Sequence, residues 1–153
     1  MGQCITKVPC YNTIPVTTST KYEKYVPEIN TGRVIKVYDG DTITIAGKVR
    51  YNPKIFKFSV RLNGLDCPEM KTKDSKEKLI AVKARDYVSN IILNKMITLK
   101  EVKLDKYGRL LAYVYYGKRC INTELIERNL AVSYDGGTKH VPDDWEAYWK
   151  KKN

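Results

Sequence analysis

The sequence predicts an α+β protein that is mainly β: a small five-stranded barrel with about three helices packed on it. Three observations carry this. Apolar and polar residues alternate along stretches on both sides of a glycine turn and again further on, as in strands with one buried face. Other stretches switch to helical spacing or carry the charges that helix ends favour. At 153 residues, the chain is long enough for one well-cored domain and too short for two of ordinary size.

The elements follow in order. "GRVIKVYDGDTITIAG" alternates on both sides of Asp39-Gly40-Asp41, which predicts a β-hairpin around a glycine turn. "IFKFSVRLNGL" alternates again and gives a third strand. "DSKEKLIAVKARDYVSNIIL" reads as a helix with Leu79, Val82, Ala84, Val88, Ile91 and Ile92 broadly on one side. Asp74 or Ser75 can cap its start, and Glu77 falls in its first turn. "MITLKEV" and "RLLAYVYYG" are two more strands, with "DKYG" as the turn between them. "NTELIERNLA" is a second helix, which Asn122 or Thr123 could cap, and "DDWEAYWKKK" is a short third. The order βββ-α-ββ-α-α is that of an OB-like barrel.

Residues 1–31 differ from the rest: Thr- and Pro-rich, without sustained period, they read as a tether or simple N-terminal disorder, with the folded domain at 32–153. "MGQCIT" fits M-G-x-x-x-[ST], the N-myristoylation pattern, with Gly2 as acceptor and Cys4 beside it as an S-palmitoylation candidate. One myristoyl chain binds membranes only marginally, so a second chain or a basic patch is normally needed. The pattern leads us to expect a protein on the cytoplasmic side, held at an anionic membrane through its N-terminal lipid. No apolar h-region follows the N-terminus, so secretion by signal peptide is not expected, and no stretch approaches the roughly 20 apolar residues of a membrane span.

Lys and Arg outnumber Asp and Glu by 28 to 17, a formal net charge of +11. That excess favours a polyanionic partner, nucleic acid or anionic membrane, over a plainly solvated lysine surface only once other signals agree. Cys4, Cys10, Cys67 and Cys120 form no CxxC pair, and His140 is the single histidine, which argues against a zinc site. Reduced thiols are the expectation, with a disulfide as the alternative.

Against this basic background, three segments set acids and arginines beside glycine or proline at strand ends: "YDGDT" (38–42), "RLNGLDCPEM" (61–70) and "DKYGRLLAYVY" (105–115). Asp41 and Asp66 are hard oxygen ligands suited to Ca²⁺. Glu69 can orient or deprotonate a water. Arg61 and Arg109 offer planar forks that match phosphate oxygens and stay charged at any working pH. Taken singly, each segment has a plainer reading as a hairpin turn, a helix cap or a surface loop. Their joint order and spacing is what points to chemistry.

On these motifs the chain resembles the staphylococcal nuclease (thermonuclease) family across residues 32–134, through "DGDT" (39–42), "RLNGLDCPE" (61–69) and "DKYGRLLAYVY" (105–115). The resemblance implies an OB-fold nuclease domain at 32–153, with Asp41 and Asp66 as calcium ligands and Cys67 supplying a backbone carbonyl where the family commonly has threonine. It implies Arg61, Glu69 and Arg109 as the catalytic trio, with Asp39 shaping the site from behind. Lys106 and Tyr107 match positions that touch nucleotide phosphate, and Tyr134 falls near the family's base-stacking tyrosines. The implied activity is Ca²⁺-dependent hydrolysis of the 5′ P–O bond in DNA and RNA, leaving 3′-phosphates, by a monomer. A non-catalytic OB-fold nucleic-acid-binding module is the alternative, and a lipid-anchored protein binding anionic membrane a third. The retained set of Asp41, Arg61, Asp66, Glu69 and Arg109 separates the first from the second, because a pure binder has no need of acids in a phosphate groove.

Overall fold

The computed structural model describes residues 24–138 and 140–152. Gly2 and Cys4, with residues 1–23 of the segment expected to be a tether, lie outside the described residues, whereas Glu28, Ile29 and Asn30 pack on the domain, Ile29 being buried. Five long strands, β1 (Thr31–Val37), β2 (Thr42–Lys48), β3 (Ile55–Leu62), β5 (Met96–Leu104) and β6 (Leu110–Tyr116), form the barrel. The sheet order is β3-β2-β1-β5-β6, closed by a parallel β3–β6 pairing over Val60↔Leu110, Arg61↔Leu111 and Leu62↔Ala112. Two-residue strands add trim: β4 (Leu65–Asp66) pairs with β8 (Val132–Ser133), and β7 (Arg119–Cys120) turns back to pair antiparallel with the end of β6. Three helices, α1 (Ser75–Ile92), α2 (Ile121–Glu127) and α3 (Trp145–Lys150), pack outside. The mainly-β barrel expected from the strand order is present; the two-residue strands were too short to leave a period.

The barrel interior is aliphatic. Val34, Ile43, Ile45, Val60, Leu62, Ile97, Leu99, Leu110 and Val114 are buried, one face of each alternating strand. Bulges interrupt two strands, between Val34 and Lys36 in β1 and between Lys100 and Lys103 in β5. Each inserts a residue that shifts the alternation, which leaves Ile35 at the surface and Glu101 at φ 53°.

Asp74, one of the two expected caps, starts α1 by accepting the Lys76 N–H at 2.9 Å. The buried face of α1 is set differently from the expectation. Ile80, Ala84, Val88 and Ile92 form its inward row at spacing four, with Ala81 beside them, while Leu79 is 47% exposed. Several helical stripes were compatible with so apolar a segment, and packing on the barrel selected this one.

Neither Asn122 nor Thr123 caps α2. Its N-cap is Cys120, which makes no side-chain cap bond. Asn122 is instead buried, with Oδ1 accepting the Val114 N–H at 2.9 Å and Nδ2 donating to the Asn63 carbonyl at 2.7 Å. It joins α2 to β6 and to the loop after β3. The third helix is capped by Asp144, which accepts the Ala147 N–H at 2.9 Å. Trp145 buries against the domain, and the Asn129 amide reaches the Tyr148 carbonyl at 2.7 Å, so this short helix is anchored.

Candidate active site

The β1–β2 turn begins the site. Thr42 O accepts the Tyr38 N–H at 2.9 Å, and Asp39 Oδ1 accepts the Asp41 N–H at 3.3 Å, which folds the turn tightly. Gly40 lets this turn press into the domain: a Cβ there would stand 2.7 Å from Cys67 Sγ and 2.8 Å from the Ala84 Cβ of α1. The acidic turn is thereby pinned against both the 65–70 loop and the first helix.

Asp41 and Asp66 lie on the floor, 2% and 3% exposed. Asp41 Oδ1 accepts from Thr42 Oγ1 at 2.9 Å and Oδ2 from the Cys67 N–H at 3.2 Å. Arg61, paired across the β2–β3 ladder with Thr42, binds both acids: its guanidinium meets Asp41 Oδ2, and its second arm donates to Asp66 Oδ1 at 2.6 Å. Burial alone works against the Arg61 charge, but Asp41 and Asp66 outweigh it and raise its pKa further. Asp39 feels the opposite balance. Burial, then the neighbouring charge of Asp41, pushes its carboxyl up to about 7. Burial raises the Cys67 thiol well above its ordinary value, so this cysteine is an inert packing group.

One guanidinium thus bridges two buried carboxylates, Asp41 and Asp66. Among the described residues no group of three or more His, Cys, Asp or Glu side chains is drawn together as a metal cage. The donor chemistry still fits a hard divalent cation: Asp41 and Asp66 offer buried carboxylate oxygens of the kind such an ion takes.

The second half of the site comes from the β5–β6 turn. Asp105 Oδ1 accepts the N–H groups of Tyr107 at 2.8 Å and Arg109 at 2.9 Å, while Gly108 turns the chain at φ 81°. Its other oxygen takes the Arg109 Nε–H at 2.6 Å. Sequence reasoning placed Asp105 in the "DKYG" turn but gave it no part in the site, although it stands four residues before Arg109. Burial tends to raise its pKa, but the bonds from Arg109 and Tyr107 hold it below the usual carboxylate range. Tyr107, 73% exposed, has Lys106 Nζ 5.1 Å and the Arg109 guanidinium 5.4 Å from its ring centre.

A cleft of ≈ 480 Å³ opens between these halves. Arg61, Glu69 and Arg109 line it, and so do Asp39, Lys106, Tyr107 and Tyr134. Glu69 is exposed, carried on the loop after buried Pro68, and its N–H donates to Glu77 Oε1 at 3.0 Å. Tyr134 arrives from the far end of the chain because β8 pairs with β4 and the Tyr134 N–H donates to the Gly64 carbonyl at 3.0 Å. Asp41, Asp66 and Cys67 are not on the cleft wall; they lie buried, with the two acids bound to Arg61. Asn63 and Asp135, which sequence reasoning did not single out, complete part of the wall.

The family model described as staphylococcal nuclease homologue matches residues 59–151. An uncharacterized endonuclease of Haemophilus influenzae is 36% identical over 107 residues, covering 70% of this chain and 54% of that protein. A probable endonuclease of Schizosaccharomyces pombe is 34% identical over 51% of this chain and 37% of its own length. The thermonuclease of Staphylococcus hyicus is 32% identical over 66% of this chain and 57% of its own. The chain spans about half the length of the curated relatives it matches.

Proposed function

This chain belongs to the staphylococcal nuclease homologue family, and on that footing we propose that it is a calcium-dependent nuclease acting on DNA and RNA, cleaving the 5′ P–O bond to leave 3′-phosphates. The observation that carries the reading is the meeting of Arg61, Glu69 and Arg109 in one cleft, over the buried acids Asp41 and Asp66.

Asp41, Asp66 and the Cys67 carbonyl would hold the ion, with Asp39 behind them. A bound calcium supplies positive charge beside the scissile phosphate and makes phosphorus more electrophilic. Glu69 orients the attacking water and accepts its proton, a task suited to an exposed carboxylate on the cleft wall. Arg109 donates to oxygens that gain charge as the bond breaks, and Asp105 fixes the direction of its fork. Arg61 carries more N–H donors than Asp41 and Asp66 occupy, so it can serve the floor and the phosphate together. Neither arginine gives up a proton, because a guanidinium stays charged at any working pH; water protonates the leaving oxygen. Lys106 neutralises a phosphate, and Tyr107 and Tyr134 flank the nucleotide.

Digestion of plasmid and of RNA with calcium and with excess chelator tests the reading, with end-group analysis of the products. Loss of cutting in chelator and 3′-phosphate ends are expected; cutting that ignores chelator, or 5′-phosphate ends, contradicts it. Acylation of Gly2 and Cys4 is a separate proposal. Intact-mass measurement after expression in a eukaryotic host should show an added myristoyl group, and a bare Gly2 refutes it.

A further inference from the structure

The hairpin joining β2 to β3 stands at the opposite end of those strands from the cleft. Thr42↔Arg61 is the rung beside the site, and Lys48↔Ile55 is the outermost rung. At about 3.3 Å per residue, the two rungs are about 20 Å apart. Because β3 joins β6 only over Val60–Leu62, residues 55–59 reach beyond the barrel's closure.

This end is both basic and apolar. No acidic residue occurs from Thr42 to Leu65, while Lys48, Arg50, Lys54 and Lys57 crowd the hairpin. Tyr51 is 88% exposed, Ile55 68% and Phe56 38%. Single exposed apolar residues are ordinary, but Ile55 and Phe56, successive in β3, face opposite sides of the hairpin, so with Tyr51 this end carries exposed apolar side chains on both faces. The tip is shaped rather than loose: the Asn52 N–H donates to the Val49 carbonyl at 3.0 Å, and Asn52 Oδ1 accepts the Lys54 N–H at 3.0 Å. Glu28 tempers one cation, bonding Arg50 at 3.2 Å, and so fastens the segment before β1 to this hairpin. Ile29 adds to that seam, its side chain lying against Gly47.

We propose that the β2–β3 hairpin is a membrane-contact element that docks on an anionic bilayer surface. Ile55, Phe56 and Tyr51 enter the boundary between headgroups and acyl chains, and Lys48, Lys54 and Lys57 meet the lipid phosphates and carboxylates. Charge complementarity admits nucleic acid as well, but two features favour lipid. The most apolar exposed residue of the tip, Ile55, has no ring for a base to stack on, whereas single-strand binding uses aromatic platforms. A polynucleotide seated in the cleft also has no need to reach a surface about 20 Å away. Docked by the hairpin, the domain keeps its cleft on the side away from the lipid.

Sedimentation of the full, unacylated chain from a bacterial host with lipid vesicles tests this without reading nuclease activity or acylation, so its failure is separate from theirs. Binding to vesicles of about 70% phosphatidylcholine and 30% phosphatidylserine is expected, with little to pure phosphatidylcholine. Each basic residue near an anionic leaflet contributes about fivefold in affinity, so the double substitution Lys54→Glu/Lys57→Glu should weaken binding by at least about 20-fold. Ile55→Ser should weaken it several-fold, and circular dichroism should show both variants folded. Absence of binding by the unaltered chain, or unchanged binding by both folded variants, overturns the proposal. If the charge-reversed variant keeps vesicle binding and instead loses affinity for a single-stranded oligonucleotide, the hairpin is a nucleic-acid surface and the proposal falls.

Discussion

Asp105 grips Arg109 at two points, accepting its backbone N–H on one carboxylate oxygen at 2.9 Å and its Nε–H on the other at 2.6 Å. The same carboxylate therefore shapes the turn and aims the guanidinium that the turn carries. Replacement Asp105→Ala removes both functions. We expect kcat to fall by about 10–100-fold with a smaller change in KM, because a misaimed donor costs most where charge develops. Steady-state kinetics on a defined oligonucleotide reads this; an unchanged kcat would show that Arg109 holds its position unaided.

The same pair sets a pH dependence. The Asp105 pKa is depressed in the folded protein, so its contribution to stability is present above the unfolded value of about 3.9 and is lost as pH falls through the lower folded value. The difference in urea midpoint between the wild type and Asp105→Asn should be full near neutral pH and shrink below about pH 4. A constant difference down to about pH 2 would contradict that origin.

Glu69 is the cleft residue to which the proposed mechanism gives the water, and Glu69→Gln preserves its shape while removing its basicity. A loss of about 10²–10⁴-fold in kcat is expected, with binding of an uncleavable oligonucleotide nearly unchanged. Full activity in this variant would remove Glu69 from the mechanism.

Arg61 supports the fold as well as the proposed chemistry. In Arg61→Gln, Asp41 and Asp66 lose the cation that bridges them in a buried place, at a cost of about 3–5 kcal/mol. Calcium should then restore more stability to the variant than it adds to the wild type, since the ion takes over charge that the guanidinium had balanced. Denaturant unfolding of both proteins with calcium and with chelator measures the difference. Equal calcium effects would place the ion elsewhere.

How far all this could be read from sequence depended on range. The five long strands were legible because half-buried strands write their period into every second residue, as Ile43 and Ile45 do in β2. The inward row of α1 was not, because an apolar helix offers several compatible stripes and only its packing surface chooses among them. Asn122 was misread for a related reason: a polar residue at a helix start suggests a cap, yet here the barrel had backbone groups of Asn63 and Val114 in need of partners. In the site, short spacings such as Asp66 to Glu69 were visible, whereas the bridge from Arg61 to Asp41 requires the β2–β3 register. Tyr134 depends on a two-residue strand that no periodicity announces.

The parallel seam between β3 and β6 has a temporal consequence. Asp41, Arg61 and Glu69 lie on one stretch of chain, Arg109 on another, and three rungs from Val60↔Leu110 to Leu62↔Ala112 bring them side by side. Such a seam joins residues distant in the chain, so it is expected to form late in folding. A chain that has made its helices but not this seam holds the acidic half of the site without its second arginine. Cutting activity should then return after the helical signal during refolding, and a half-made enzyme would be a silent one.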